Sequence, residues 1–296
     1  MTHHLLCLGH GYSARAVTAR LSDNSDWSIT GTSRSAAGAD RIWEQGFQAV
    51  VYDGSETTPG LSEAIRAATH ILVSAGPDAA GDAFLRYHEA DILAAPHVTW
   101  IGYLSTIGVY GDQKGAWVSE ETPPNPRSDR TTRRVLVELA WRATAHQLGC
   151  RFQCFRLAGI YGPGRSAIDK VTAGTARRII KPGQVFNRIH VDDIATAVLA
   201  GMSGAGTQEF YNVSDDEPAP PQDVIAYAAE LLGKPCPPDV PFEEAELSPM
   251  GRSFYSDLKR VKNNRLESDL GITLAYPTYR EGLEALAAAV GQPASG

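Results

Sequence analysis

Leu5-Leu6-Cys7-Leu8-Gly9-His10-Gly11-Tyr12-Ser13-Ala14 is the stretch on which the reading of this chain turns. Four consecutive apolar residues read as a short buried strand, and residues 12–22 carry a helical pattern. Between them Gly9 makes a tight turn and Gly11 lets the backbone approach a pyrophosphate. The small Ala14 lets the helix pack on the strand, while the N–H groups of the helix start, around Tyr12 and Ser13, face the phosphates. The alternative is a tight turn that binds nothing.

Outward from this turn the same rhythm repeats. Strands are expected at 28–32, 47–52, 70–74, 97–105 and 151–157, and helices at 36–45, 60–68, 82–95 and 128–148. Short apolar strands alternating with helices argue for an α/β fold with a parallel sheet covered on both faces. Right-handed crossovers then make it a doubly wound, Rossmann-type sheet whose ligands lie at the carboxyl ends of the strands. After residue 160 the rhythm breaks at Gly162, Pro163 and Gly164. A helix is expected at 191–203 and a strand at 209–213, and prolines from Pro218 to Pro241 then punctuate short pieces. This divides the chain into a dinucleotide-binding domain, 1–162 plus 184–213, and a smaller C-terminal substrate lobe, 163–183 plus 214–296.

The other strand ends suit the same ligand. A carboxylate at the end of the second strand would bond a ribose 2′-hydroxyl and favour NAD. Here stand Thr32-Ser33-Arg34 instead, a hydroxyl and a fork of donors suited to a 2′-phosphate, so NADP is favoured over NAD. A solvated loop arginine is the plainer reading of Arg34. Asp53 closes the third strand and could accept from an adenine amino group. Ser74-Ala75-Gly76 closes the fourth with small residues that leave room for a cofactor.

The 296 residues are 43% hydrophobic and 21% charged, enough apolar material for a large buried core. A net charge of −7 speaks against a general binder of nucleic acid or anionic membranes. Cys7, Cys150, Cys154 and Cys236 are too few and scattered for a disulfide framework, and they read as small hydrophobes. Neither they nor the eight histidines form a metal-ligand pattern; His3 and His4 read as solvent or strand-edge residues. No segment approaches the ~20 apolar residues that span a bilayer, and no leader is recognisable, so a reducing cytoplasmic setting is expected.

Taken together, these features resemble the extended short-chain dehydrogenase/reductases, the NAD-dependent epimerase/dehydratase family. The resemblance rests on the glycine turn, Asp53, Tyr103-Leu104-Ser105-Thr106 with Val109-Tyr110-Gly111, the segment Arg156 to Gly164, and Ile189-His190-Val191-Asp192-Asp193-Ile194. It implies a Rossmann domain, a C-terminal substrate lobe, and a catalytic Ser or Thr, Tyr and Lys. Ser105 or Thr106 fills the first role. The helix that should carry Tyr-x-x-x-Lys has no tyrosine: registered on Glu138, the two positions hold Arg130 and Arg134. Arg134 can replace the lysine cation beside the nicotinamide ribose. Arg130 cannot carry a proton, because arginine stays protonated to a pKa above ~12.

A literal Tyr-x-x-x-Lys, Tyr110 to Lys114, falls in a glycine-flanked loop, so Tyr110 is read alone, either as a proton relay near the reactive end of the cofactor or as a packing residue. Tyr161, Arg165 and His190, with Arg130, are candidates for the substrate cleft. Asp192 and Asp193 read first as helix N-terminal residues. The expected activity is that of an oxidoreductase or epimerase on a small hydroxylated or carbonyl, sugar-like substrate, with a non-standard proton donor. The alternative is a non-catalytic NADP-binding sensor or regulatory module. Apolar Val135-Leu136-Val137 permits a homodimer through that helix.

Overall fold

The computed structural model describes residues 3–290; Met1, Thr2 and 291–296, at the ends of the two expected lobes, lie outside the described residues. The first half runs β1 (His3–Leu8), α1 (Tyr12–Ala19), β2 (Trp27–Ser33), α2 (Ala36–Trp43), β3 (Gln48–Val51), α3 (Pro59–Ala67), β4 (His70–Val73), α4 (Ala83–Leu93), β5 (Trp100–Thr106), β6 (Trp117–Val118), α5 (Asp129–Leu148) and β7 (Arg151–Leu157). The second continues with β8 (Gly159–Tyr161), α6 (Ala167–Thr172), β9 (Arg178–Ile180), β10 (Arg188–His190), α7 (Val191–Met202), β11 (Phe210–Val213), α8 (Pro221–Leu231), β12 (Asp239–Pro241), α9 (Pro249–Phe254), β13 (Arg260–Val261), α10 (Arg265–Ser268) and α11 (Tyr279–Val290).

Seven strands form one parallel sheet in the order β11-β7-β5-β4-β1-β2-β3. The order reverses between β1 and β4, the crevice where an open α/β sheet receives its ligand. Leu5, Cys7, Leu72 and Phe155 belong to the core on one face, and Leu6, Leu8, Ile71 and Val73 to that on the other. That two-sided burial explains why these strands read as unbroken apolar runs. β1 lies inside the sheet, so His3 and His4 do not sit at a strand edge; His4 Nε2 meets Thr30 Oγ1 at 2.9 Å. The strand expected from His97 begins at Trp100, because Pro96 and His97 are used in the turn after α4. Cys7 and Cys154 are buried, Cys150 is half-buried and Cys236 exposed, all four as free thiols.

The C-terminal lobe is more regular than its prolines suggest. α6, α8 and α11 share a separate apolar cluster that includes Ile168, Val171, Ala228 and Leu283. Pro221 opens α8 from its first turn, where a missing N–H costs nothing. A strap at 255–261 ties the lobe back to the sheet domain. β13 pairs with β6, Gln113 N and Gly115 N donate to Leu258 O (3.0 and 2.9 Å), and Asn187 bridges Lys259 O and Val261 N. The lobes also meet where Tyr161 lies against α11: a Cβ on Gly282 would stand 2.1 Å from Tyr161 Oη. Gly282→Ala should therefore cost about 1–3 kcal/mol by overpacking, read as a lower urea midpoint. An unchanged midpoint would show that this lobe contact yields freely.

Candidate functional site

The glycine turn joins β1 to α1 at the reversal point. Gly9 has φ +89° and lies so close to β4 that a Cβ there would stand 2.8 Å from Ala75 N. Gly11 faces the opposite situation, with nothing within 4 Å of its Cβ position. It is the N-cap of α1 and offers no side chain to the helix N–H groups, which leaves them for an anion. A backbone-hugging pyrophosphate fits this cradle. Beyond it, Ser33 ends β2 half-buried, and Arg34 is exposed without a hydrogen bond or ion pair among the described residues. Asp53, exposed after β3, accepts from Ser55 N and Oγ (2.9 and 2.6 Å), which lowers its pKa. Ala75 N donates to Leu8 O at 2.9 Å, and Gly76 lies under the Arg134 guanidinium.

A cleft of about 1160 Å³ opens beside this edge, between sheet and C-terminal lobe. Ser13, Ser74, Ser105, Thr106, Arg130 and Arg134 reach it from the sheet side, Tyr161 and Arg165 from the other. The structure separates Ser105 from Thr106. Ser105 Oγ donates into the buried carboxylate of Glu138, which is itself paired with Arg156 (Nη2–Oε2 2.8 Å). Thr106 Oγ1 accepts from Gly108 N at 3.1 Å, and its hydroxyl proton has no acceptor among the described residues. Thr106 thus has a proton to offer in the cleft, whereas Ser105 has spent its own.

Tyr110 does not reach the cleft, which corrects its reading as a proton relay. It is fully buried, its hydroxyl donates to Asn212 Oδ1 (2.7 Å) and accepts from Arg156 Nη1 (3.0 Å), and burial pushes its pKa up to about 12. It is a packing residue on the Glu138–Arg156 pair. His190 likewise lies outside the cleft. It is buried, its Nδ1 caps α7 by accepting from Asp192 N (3.2 Å), and burial lowers its pKa. Asp192 and Asp193 are in the first turn of α7, and Asp193 accepts from Ala275 N and Tyr276 N (2.7 and 3.1 Å).

Arg134 Nη1 donates to Tyr103 Oη and Leu104 O (3.0 and 3.2 Å) at the end of β5. Arg130 instead reaches across the cleft, its Cζ 5.7 Å from the Phe254 ring. On the far wall Tyr12 Oη donates to Pro163 O (3.0 Å), and Arg165 lies 5.6 Å over the Tyr12 ring, linking the glycine turn to the loop after β8. Tyr161 lines the cleft with its ring, but its hydroxyl points to Thr278 O (3.4 Å), where burial raises its pKa.

Sequence reading missed Glu138 and Arg156 as a buried pair, and missed the contribution of the C-terminal strap. Lys259 is buried on that strap, donating to Gly111 O (2.7 Å) and Asp257 Oδ2 (3.2 Å), and burial lowers its pKa. The cleft's charge was also hidden in a chain that is acidic overall. Six arginines and two lysines line it against Asp169 and Asp257. Asp169 is held by the Ser166 cap and Asp257 by Lys259, and none of the six arginines is ion-paired among the described residues. Among the described residues no group of three or more His, Cys, Asp or Glu could hold a metal.

His10, inside the glycine turn, carries a pH dependence. Burial, then the Arg15 charge, holds its pKa down to about 4; burial does the same to His70. An unfolded histidine titrates near ~6.5, so between these values the unfolded chain binds more protons and stability rises with pH. This contribution is complete above about 6.5 and is lost as pH falls toward 4. Urea midpoints should drop from pH 7 to pH 5, with a shallower drop for His10→Asn. The same drop in the variant would remove His10 from the account.

Comparison with known proteins places these features. The chain is 48% identical to a functionally unknown conserved protein from Silicibacter pomeroyi, covering 98% of this chain and 100% of that one with a TM-score of 0.88. It is 29% identical over 141 residues to a 3-diazoavenalumate denitrifying reductase from Streptomyces, a match to 43% of this chain and 44% of that one, so it spans less than half of that relative's length. UDP-glucuronic acid 4-epimerase from Bacillus cereus, in complex with UDP-glucuronic acid and NAD, shares the fold at 18% identity, with a TM-score of 0.75 over 97% of this chain and 98% of that one. No described helix is long and apolar enough to cross a membrane. With residues 7–214 matching the family as a whole, the chain belongs to the NAD-dependent epimerase/dehydratase family.

Proposed function

We propose that the chain is a nicotinamide-dinucleotide oxidoreductase, preferring NADP, that acts on a small anionic carbonyl or hydroxyl substrate. The observation that carries this reading is the set of unpaired arginines in a cleft that begins at the glycine turn. An uncompensated cationic cavity in an acidic chain attracts anions and raises their local concentration. The dinucleotide phosphates account for the sheet edge. Arg165, Lys170, Arg177 and Arg188 lie on the other side, where the substrate itself supplies the negative charge. The partial similarity to a reductase favours reduction over epimerisation. A cleft with an unspent Thr106 hydroxyl favours turnover over a purely sensory role.

A bound nicotinamide supplies or accepts the hydride. The Gly11 cradle and α1 hold the pyrophosphate, Arg34 and Ser33 hold the 2′-phosphate, and Arg134 holds the ribose end in place of the lysine. Thr106 donates a hydrogen bond to the reacting oxygen. Arg130 and Arg134 stabilise the negative charge developing there, a role for which a permanent cation is suited, and the resulting alkoxide takes its proton from water entering the cleft, since neither arginine can carry it.

Calorimetry with NADPH and NADH tests the cofactor reading. NADPH should bind more tightly, and Arg34→Ala should weaken it about 10- to 100-fold, the worth of hydrogen bonds to a charged group, with little effect on NADH. Gly11→Val should abolish binding of both while leaving the melting temperature within a few degrees. An NADH preference, or no heat with either, sinks the assignment. For turnover, NADPH oxidation across a panel of keto acids and phosphorylated sugars should fall about 10- to 100-fold in Thr106→Ala, the cost of one hydrogen bond to charge. Inertness of the wild type across the panel with NADPH affinity intact favours the sensor.

A further inference from the structure

The strap that returns from the C-terminal lobe places Tyr255 against the base of the cleft. Its ring packs edge-on to Phe186 (centroids 5.1 Å apart), and both line the cleft. Phe186 is two residues before Arg188, whose Nη1 donates to Phe186 O (2.8 Å) and Ala219 O (3.1 Å). The guanidinium also lies over the Tyr279 ring, 6.0 Å from its centroid. These contacts fix the plane of Arg188 and leave Nε and Nη2 without an acceptor among the described residues. Neither atom is among the buried unpartnered ones, so both open toward the cleft that Arg188 lines. Tyr255 Oη is in the same condition: no partner, and open to the cleft. Burial raises the Tyr255 pKa, and the nearby Arg188 charge opposes that shift.

The strand register places Arg188 close to the reacting end. Thr106 pairs with Leu157 across β5 and β7, and two residues further Gly159 pairs with Arg188 across β8 and β10. We propose that Arg188 and Tyr255 form an oxyanion subsite that holds a carboxylate or phosphate group of the substrate beside Thr106. A guanidinium edge with two free N–H directions and a phenol hydroxyl match such a group, which accepts on two oxygens. The carboxylate facing Arg188 from behind does not fill this role. Asp215 is fully buried, neither of its oxygens has a partner, and burial raises its pKa well above the usual carboxylate range, toward the neutral acid. Neither Asp215 oxygen takes a hydrogen bond from the Arg188 guanidinium, so this carboxylate leaves the Nε and Nη2 donors open.

The subsite deepens the proposed function and rests on it only for the identity of its ligand as substrate. The test is calorimetric titration with malonate, inorganic phosphate and neutral malonamide, with and without NADPH. Wild type should bind at least one anion and not malonamide; tighter malonate assigns a carboxylate, tighter phosphate a phosphate. Tyr255→Phe removes a hydroxyl with no protein partner, so its melting temperature should be unchanged while anion affinity falls about tenfold, the loss of one charge-assisted hydrogen bond. Arg188→Lys should weaken the anion further. Failure of wild type to bind either anion, or equal affinity in Tyr255→Phe, overturns the subsite. Failure to bind NADPH while malonate or phosphate still binds overturns the cofactor reading and leaves the subsite standing.

Discussion

The buried pair between Arg156 and Glu138 is the interaction on which the floor of the cleft depends. It joins β7 to α5, takes the Ser105 hydroxyl from the end of β5, and fixes Tyr110 beneath the turn that follows. Two charges removed from water are costly to bury, and the cost is offset only when every remaining donor and acceptor is engaged. Here the cluster is nearly saturated: Arg156 bonds Glu138 twice and Tyr110 once, and the Tyr110 hydroxyl donates a hydrogen bond to Asn212 Oδ1. The result is a rigid base above which Thr106, Arg130 and Arg134 project with donors still free. Polar groups are thus sorted into those consumed by the scaffold and those left to a ligand.

Departure from the family pattern acquires a physical meaning in this setting. Replacing Tyr and Lys by Arg130 and Arg134 removes a proton carrier and adds permanent charge at the same two places on one helix face. The cleft wall thereby gains cationic side chains. The opposite wall follows the same logic, with Arg165, Lys170, Arg177 and Arg188 without an ion pair among the described residues while other arginines of the molecule, such as Arg86, Arg142 and Arg280, are matched to carboxylates.

The sheet domain was legible because its strands are buried on both faces. Leu5 to Leu8 and Ile71 to Val73 are continuous apolar runs with glycines or small residues directly after, and such patterns are local. The C-terminal lobe was legible only in outline, since prolines that open helices look like breaks until the packing of α6, α8 and α11 is known. Side-chain roles were hardest to read. Tyr110 and His190 stand in recognisable motifs, yet one is buried on an ion pair and the other caps a helix. Tyr255 opens a Tyr-x-x-x-Lys that lies outside any helix, and it reaches the cleft because β13 pairs with β6 over a separation of more than a hundred residues.

By itself, the order of residues determined the parallel sheet, the glycine turn, the small and polar residues at the strand ends, and the absence of a tyrosine on α5. These depend on periodicity and on chemistry within a few residues. Only the tertiary structure decided which hydroxyl of Ser105 and Thr106 is free, which arginines lack a countercharge, and which phenol enters the cleft. Each of those is a question of hydrogen-bond partners drawn from distant parts of the chain, and a partner can be assigned only once the fold has brought it within reach.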